Sequence, residues 1–399
     1  MTVSARVLPR GPVFGWVSLR GRLDVGVPGV GQLAAQTLTT SGRASIYHAL
    51  KLLDMKARPG VLLPTYHCPT MVAPAVLAGL QPLFYALGDD GLPDLAGLDP
   101  AAAAQAGAML VPHLFGRTLS LAAVRAWCDR HGIALIEDCA HALFGQAGQR
   151  PVGAWGDFAT ASLSKFLPVP EGGLLASATR RVPALPLEPR RWRDELKGWV
   201  DVAESAATHQ SLAGLNAPLR LTFRVKKALR GAPSLDEIEP VTPGAQSPDA
   251  AQMMLDCDMG RVGLQPLAVA RWMRGHLPLA RVVLRRRANF DTYGRCLAGV
   301  RGARALAGSG TNGAGWPEAV APYVFPLWVD EADLVYSQAR RLRLPIFRWD
   351  RLWPGTPALP GDSGTLWSRH VLQLLCHQDL GTADIEQVSL AIRQLLPLR

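Results

Sequence analysis

The stretch IALIEDCAHALFG, residues 133–145, decides how the rest of the chain is read. Its apolar opening, Ile133 to Ile136, runs straight into two acids, Glu137 and Asp138. That is the pattern of a strand buried on both faces whose carboxyl end carries polar chemistry. Just upstream, LSLAAVRAWCDRHG (119–132) has the period of an amphipathic helix and is closed by Gly132. Further out, VLLP (61–64), PLFYAL (82–87), AMLVPHLF (108–115), ATASLS (159–164) and GLLASA (173–178) are short apolar runs of the same kind. Helical stretches separate several of them, among them SGRASIYHALKLLDM (41–55) behind a serine cap and MVAPAVLAGL (71–80). Apolar strands alternating with helices predict an α/β fold, with a mostly parallel sheet covered by helices.

After about residue 185 the texture changes. Residues 186–235 are basic and helical, and PSLDEIEPVTPGAQSPD (233–249) reads as a Pro-rich loop. One long helical run is expected over about 250–299, then a strand in PYVFPLWVD (322–330), a helix in LVYSQARRLRL (334–344) and a closing strand–helix pair from His370. The chain therefore divides, on sequence, into an N-terminal segment 1–40, a large domain 41–249 and a smaller C-terminal α/β domain 250–399.

Composition narrows the function classes. With 399 residues, 48% hydrophobic and 19% charged, the chain can bury a sizeable core and is not a disordered segment. It has no run of 18 apolar residues, and its opening, MTVSARVLPRGPVFGWVSLRGRLD (1–24), lacks the apolar centre of a secretory signal. Six cysteines, at 68, 128, 139, 257, 296 and 376, form no CxxC pair, which suits a reduced cytoplasmic protein and no zinc site. The net charge is +10, but only six of the 42 basic residues are lysines. The densest clusters, Arg285 to Arg287 and Arg224 to Arg230, are interleaved with or flanked by apolar residues as on helix faces. An anionic small substrate accounts for this surplus as well as a nucleic acid does, and nucleic acid is not the expected partner.

Several motifs carry no site. GSGTNG (308–313) and GVGQLA (29–34) imitate a dinucleotide fingerprint, but neither lies between a strand and a helix, so both are expected to be loops. Ser162-Leu-Ser-Lys165 fits S-x-x-K, yet the partner motifs of a serine acyl-enzyme are missing. HExxH and G-x-S-x-G are missing too, so no metal ligand is expected.

A different set remains. Lys165 lies between small residues and an apolar loop in ASLSKFLPVPEGG (161–173), an odd setting for a surface lysine. A lysine in a low-dielectric pocket loses its proton readily and becomes a nucleophile. Asp138 closes a strand where ligand crevices form, and Ser41-Gly42-Arg43-Ala44 opens a helix with free amides for a phosphate. An amine, a carboxylate and an anion site are what pyridoxal 5'-phosphate requires of a protein.

Order and spacing then bring out a resemblance. SGRASIYHAL (41–50), LLPTYHCPTMVAPAVLAGLQPLFY (62–85), VPHLFG (111–116), IALIEDCAHALFG (133–145), SLSKFLPVPEGG (162–173), RRRANF (285–290) and LLCHQDL (374–380) resemble, in order, the DegT/StrS family of sugar aminotransferases. The resemblance implies the fold-type I architecture of pyridoxal-phosphate-dependent transferases. It places Lys165 on the Schiff-base lysine, Asp138 on the partner of the pyridine nitrogen and His141 on the residue near the phenolic oxygen. Gly42, Arg43 and Ala44 fall on the phosphate-binding helix start, and Ser162 on a phosphate ligand. Cys68 stands where an aromatic residue often covers the ring, so His67 or Tyr66 is expected to stack there. Asn216, after Gly214-Leu215, is the loose counterpart of an asparagine that reaches the neighbouring subunit's phosphate.

The implied activity is amino transfer from an amino acid, usually glutamate, to a keto acceptor, typically a nucleotide-linked keto-sugar of polysaccharide or secondary-metabolite biosynthesis, in a homodimer. Relatives with histidine in place of the lysine are dehydratases, and Lys165 favours transamination. Two other readings stay open: a dehydratase or lyase of the same fold, and a non-catalytic basic binding protein.

Overall fold

The computed structural model describes residues 7–21, 26–230, 249–306 and 319–396. The first half of the chain lays down β1 (Ala35–Thr39), β2 (Gly60–Pro64), β3 (Gln81–Tyr85), β4 (Ala106–Pro112), β5 (Ala134–Asp138), the small hairpin β6 (Gln146–Ala147) and β7 (Arg150–Pro151), then β8 (Phe158–Ser162) and β9 (Gly173–Ser177). Its helices are α1 (Gly42–Lys51), α2 (Pro69–Leu77), α3 (Pro100–Gln105) and α4 (Ala122–His131). Seven strands form one sheet in the order β1-β9-β8-β5-β4-β2-β3. Strands β3, β2, β4, β5 and β8 run parallel, β9 runs against them, and β1, antiparallel to β9, restores their direction. Every residue of β2, β8 and β9 is buried, which is why these runs carry no polar alternation.

The local signals act as their chemistry dictates. Ser41 caps α1 by accepting the Ala44 N–H at 3.2 Å, and Gly132 ends α4 in the left-handed region at φ 60°. Gly173 starts β9 against α1's cap, where any Cβ would collide with the Ser41 carbonyl. The 29–34 glycine pattern forms a short 3-10 turn, Val30–Gln32, leading into β1 rather than a phosphate loop. The other glycine pattern, at 308–313, lies outside the described residues.

The second half differs from expectation in two respects. Residues 250–299 are not one helical run. After α5 (Trp192–Thr208) and α6 (Asn216–Arg230), the chain forms α7 (Ala250–Asp256), a 3-10 turn Met259–Arg261, α8 (Ala268–His276) and α9 (Leu279–Cys296). Gly260, Gly263, Pro266 and Pro278 break the run at the observed joints. The expected division at residue 250 also does not coincide with a change in packing. Met253, Cys257 and Met259 bury against α1, α2 and β2, and Val269, Ala270 and Met273 against β8 and β9. These segments complete the core of the large sheet.

A second, antiparallel sheet follows, with β10 (Ala303–Ala305), β11 (Val324–Val329), β12 (Ile346–Phe347) and β13 (Val371–Leu375) in the order β10-β11-β13-β12. The helices α10 (Ala332–Arg341), α11 (Ser363–His370) and α12 (Thr382–Leu395) belong to the same part of the chain. One continuous cluster of buried side chains joins the two sheets, running from Leu62, Met109 and Leu135 to Phe325, Leu372 and Leu374. No helix among the described residues is long and apolar enough to cross a membrane.

Candidate active site

The carboxyl ends of β5 and β8 and the amino end of α1 meet at one rim of the large sheet, where open α/β sheets bind ligands. Asp138 ends β5 and lies in register with Thr160 of β8. Strand alternation sends its neighbour Glu137 to the other face. There the Glu137 carboxylate accepts the N–H groups of Gly153 (2.6 Å), Trp155 (2.9 Å) and Gly156 (3.1 Å). It also takes Nε2–H of His113 at 2.8 Å, because His113 Nδ1 is itself an acceptor for the Leu119 N–H. Glu137 lies within 4.8 Å of His113 and Cys139, a grouping with metal-ligand chemistry, but its oxygens are saturated by the turn they fasten.

Asp138 is equipped differently. Its Oδ1 accepts the Ala140 N–H at 2.9 Å and the Thr160 hydroxyl at 3.4 Å. Among the described residues, Oδ2 has no donor. The carboxylate lines a cavity of about 140 Å³ that it shares with Lys165. Lys165 closes the 3-10 turn after β8, with Nζ 5.1 Å from the centre of the Tyr323 ring. Burial pushes the Asp138 carboxyl above its usual range, against the opposing pull of Lys165. Burial likewise pushes the Lys165 amine below its usual range, with Cys68 and Asp138 opposing. Each group is thus moved toward its neutral form by the same desolvation.

The same cavity also carries groups suited to an anion. Gly42 and Arg43 occupy the first turn of α1, whose leading amides have no intrahelical acceptor. Facing them are the hydroxyls of Ser162 and Ser164, 3.4 Å apart. Ala44 is different: its amide is taken by Ser41 and its side chain is fully buried.

The remaining expected residues are placed as follows. His141 stacks on Tyr323 (centroids 4.2 Å apart, planes at 25°), so Tyr323 is its link to Lys165. His141 Nδ1 accepts the Phe115 N–H at 3.3 Å, and burial pushes the ring's basicity well down. Gly116, at φ 90°, lets the Tyr323 backbone approach this turn, where a Cβ would strike the Tyr323 nitrogen. His67 does not reach the cavity. Its Nδ1–H donates to the Pro64 carbonyl at 2.8 Å, its Nε2 accepts the Trp353 N–H at 2.9 Å, and its ring stacks on Phe84. Tyr66 is fully buried and its hydroxyl accepts from Gln373. Neither expected stacking residue is available; Cys68 and Trp349 line the cavity instead. Asn216 is not part of this cavity either, its amide group bridging the Leu212 N–H and the Gln210 carbonyl at 3.0 Å each.

Sequence reasoning missed Ser164, Glu171, Arg261 and Trp349, all of which line the cavity. It also missed Arg286, which supports the site from behind. Glu171 opens the E-G-G of the lysine loop, and Arg286 lies in RRRANF, so both stood in recognised segments without an assigned role. Trp349 and Arg261 had no local signal, because only the tertiary fold brings them to the cavity.

Residues 31–182 match the model of the DegT/DnrJ/EryC1/StrS aminotransferase family. An L-glutamine:2-deoxy-scyllo-inosose aminotransferase from Micromonospora echinospora is 30% identical over 277 residues, covering 66% of this chain and 62% of that protein. Residues 31–182, which hold the α1 start, Asp138 and Lys165, thus carry the match to the DegT/DnrJ/EryC1/StrS aminotransferase family. A GDP-perosamine synthase from Vibrio cholerae is 27% identical over 170 residues, 41% of this chain and 46% of that enzyme. The matches thus span less than two thirds of either relative's own length. In fold, the chain is similar to AtS13 from Actinomadura melliaura, with a TM-score of 0.60 and 18% identity over 98% of this chain and all of that one.

Proposed function

We propose that this protein is a pyridoxal-phosphate-dependent aminotransferase of the DegT/DnrJ/EryC1/StrS family that moves an amino group from an amino acid to a keto-sugar or similar keto acceptor. The observation that carries the reading is the convergence of Lys165 and Asp138 on one cavity that also offers helix amides and two hydroxyls. An amine, a carboxylate with a free oxygen and a cradle for an anion fit the three ends of pyridoxal phosphate. The relatives' names support the class of chemistry, since one transfers an amine to an inosose and another makes perosamine.

When bound, the group would supply an electron sink for bond cleavage at the donor's Cα. The chain's own residues divide the remaining work. Lys165 Nζ anchors the group and, once released, takes the Cα proton; its depressed basicity keeps more of it neutral near pH 7. Asp138 Oδ2 holds the proton on the ring nitrogen, where a charged partner restores the ionised form that burial alone disfavours. The backbone amides of Gly42 and Arg43 and the hydroxyls of Ser162 and Ser164 would hold the phosphate. Trp349 walls the cavity and Tyr323 lies against Lys165, excluding water from the amine. The same reading carries a cytoplasmic homodimer with glutamate or glutamine as donor.

The test is spectroscopic. Purified protein loaded with pyridoxal phosphate should show a near-visible absorbance band that glutamate or glutamine bleaches and a keto acceptor restores. A band that no amino donor changes would overturn transamination, and failure to take up the cofactor would overturn the whole reading.

A further inference from the structure

The cavity's anion-binding groups are bordered by a chain of alternating charges that the mechanism above does not use. Arg43 Nη2 lies 3.0 Å from Asp258 Oδ2, and its Nε donates to the Asp258 carbonyl at 3.3 Å. The same Oδ2 is held by Arg261, through Nε at 3.0 Å and through Nη2. Arg261 Nη1 continues to Glu171 Oε2 at 3.3 Å, and Glu171 is gripped by Arg190 at 2.7 Å on both oxygens. Three guanidinium groups therefore share two carboxylates, leaving one positive charge in surplus beside the first turn of α1.

The members of this chain are not equally fixed. Arg261 is tied to both carboxylates, and its own carbonyl accepts the Thr40 hydroxyl at 3.0 Å. Glu171 also accepts the Leu267 N–H at 3.1 Å. Among the described residues Arg43 is held by Asp258 alone, through a pair whose side chains are 24% and 44% exposed. Such a partly exposed pair is weak, and breaking it does not strand Asp258, which keeps Arg261. Arg43 is therefore the cation that can change partner at little cost.

We infer that the Arg43 side chain is an exchangeable phosphate ligand: it pairs with Asp258 and turns to the cofactor phosphate when that group is seated on α1. The inference rests on the proposed function and adds to it. A phosphate monoester brings nearly two negative charges, whereas the amides and serine hydroxyls that cradle it are neutral. Lys165 is assigned to anchoring the cofactor, and Arg190 is bound to Glu171. A guanidinium one residue into the helix supplies the missing charge and a fork that fits phosphate oxygens.

The experiment measures cofactor binding to the apo-protein by absorbance titration, and the ³¹P chemical shift of the bound phosphate, in wild type, Arg43→Ala, Arg43→Lys and Asp258→Asn. Arg43→Ala should weaken pyridoxal phosphate binding by about tenfold and move the ³¹P resonance. Arg43→Lys should recover part of both, and Asp258→Asn should bind at least as tightly as wild type. An Arg43→Ala protein with unchanged affinity and unchanged ³¹P shift overturns the inference. So does one with unchanged cofactor affinity but a raised KM for the amino donor, which would assign Arg43 to the donor carboxylate. A loss in Asp258→Asn equal to that in Arg43→Ala also overturns it, because the pair would then only brace the 258–261 turn. Wild-type protein that takes up no cofactor would instead defeat the underlying function, which keeps the two failures apart.

Discussion

The guanidinium of Arg286, fully buried in α9, donates through Nη2 to the backbone carbonyl of Lys165. Its Nη1 reaches the carbonyls of Pro322 and Tyr323 at 3.2 and 3.3 Å, its Nε bonds Gln378 at 3.0 Å, and its plane lies 4.4 Å from the centre of the Phe166 ring. One side chain thus ties the lysine turn to the segment carrying Tyr323, the ring against which Nζ lies.

Replacing Arg286 with Met keeps much of the volume and removes all these donors. Three buried carbonyls lose a partner, for a loss of roughly 3 kcal/mol. The melting temperature should fall, and the cofactor should dissociate faster because Lys165 is no longer held from behind. Arg286→Lys should be only a partial remedy, since one ammonium cannot span acceptors on three segments. Wild-type melting and cofactor retention in Arg286→Met would show that the lysine turn stands without this support.

Lys165→Ala should abolish the near-visible band of the loaded protein and lower turnover by about a thousandfold or more. The protein should still bind the cofactor weakly and non-covalently through the α1 amides and the two serines. Rapid dialysis followed by phosphate analysis checks this second part. Retention of the band would mean that another amine anchors the group.

Asp138→Asn should bind cofactor yet lose roughly a hundred- to thousandfold in turnover, because a neutral amide cannot keep the ring nitrogen protonated. Glu137→Gln makes the contrasting control. Glu137 fastens Gly153, Trp155 and Gly156 on the far face, so its loss should lower the melting temperature with the cofactor spectrum unchanged. If Glu137→Gln changed the spectrum and Asp138→Asn did not, the two carboxylates would have to exchange roles.

Two buried histidines should make the fold acid-labile. Burial holds His67 and His377 down to about 4, against an ordinary 6.5. Both rings are neutral in the native state, each with one nitrogen donating to a carbonyl and the other accepting an amide. Below pH 6.5 the unfolded chain takes up protons that the native chain refuses until about pH 4. Stability is therefore full above that window and is lost as pH falls through it, by roughly 3 kcal/mol per residue. Melting curves from pH 7.5 to 4.5 should show the decline, and it should be shallower in a His67→Gln, His377→Gln double variant. An equal decline in the variant would put the acid sensitivity elsewhere.

Much of this architecture was legible because it rests on local chemistry. The serine cap of α1, the left-handed Gly132 and the apolar runs of β2, β4 and β9 are all written in neighbouring residues. Lys165 and Asp138 could be singled out for the same reason, each being anomalous within its own segment. The stacking residue could not. His67 stands next to the right position, but the strand end and Trp353 claim both its ring nitrogens, and a ring committed to two backbone bonds cannot turn into the cavity. Trp349 comes from the loop after β12 of the second sheet, about 280 residues along the chain from Cys68, and no spacing rule links the two. The helical run after residue 250 failed for a simpler reason: its glycines and prolines were outweighed by a strong apolar period, although each costs a helix more than one apolar residue contributes.

The brace from Arg286 to Lys165 also sets an order of events during synthesis. A nascent chain that has emerged as far as β9 holds every strand of the large sheet and both groups meant for the cofactor, Lys165 and Asp138. It still lacks Arg286 behind the lysine, Tyr323 beside it and Trp349 across from it, more than a hundred residues away. Until those arrive, the apolar faces of the sheet stay open to solvent and the amine keeps its ordinary basicity, so a half-made chain is sticky rather than reactive. Cofactor loading is thereby deferred until α9 and the second sheet have docked, and a ribosome-bound fragment ending near residue 280 should fail to take it up.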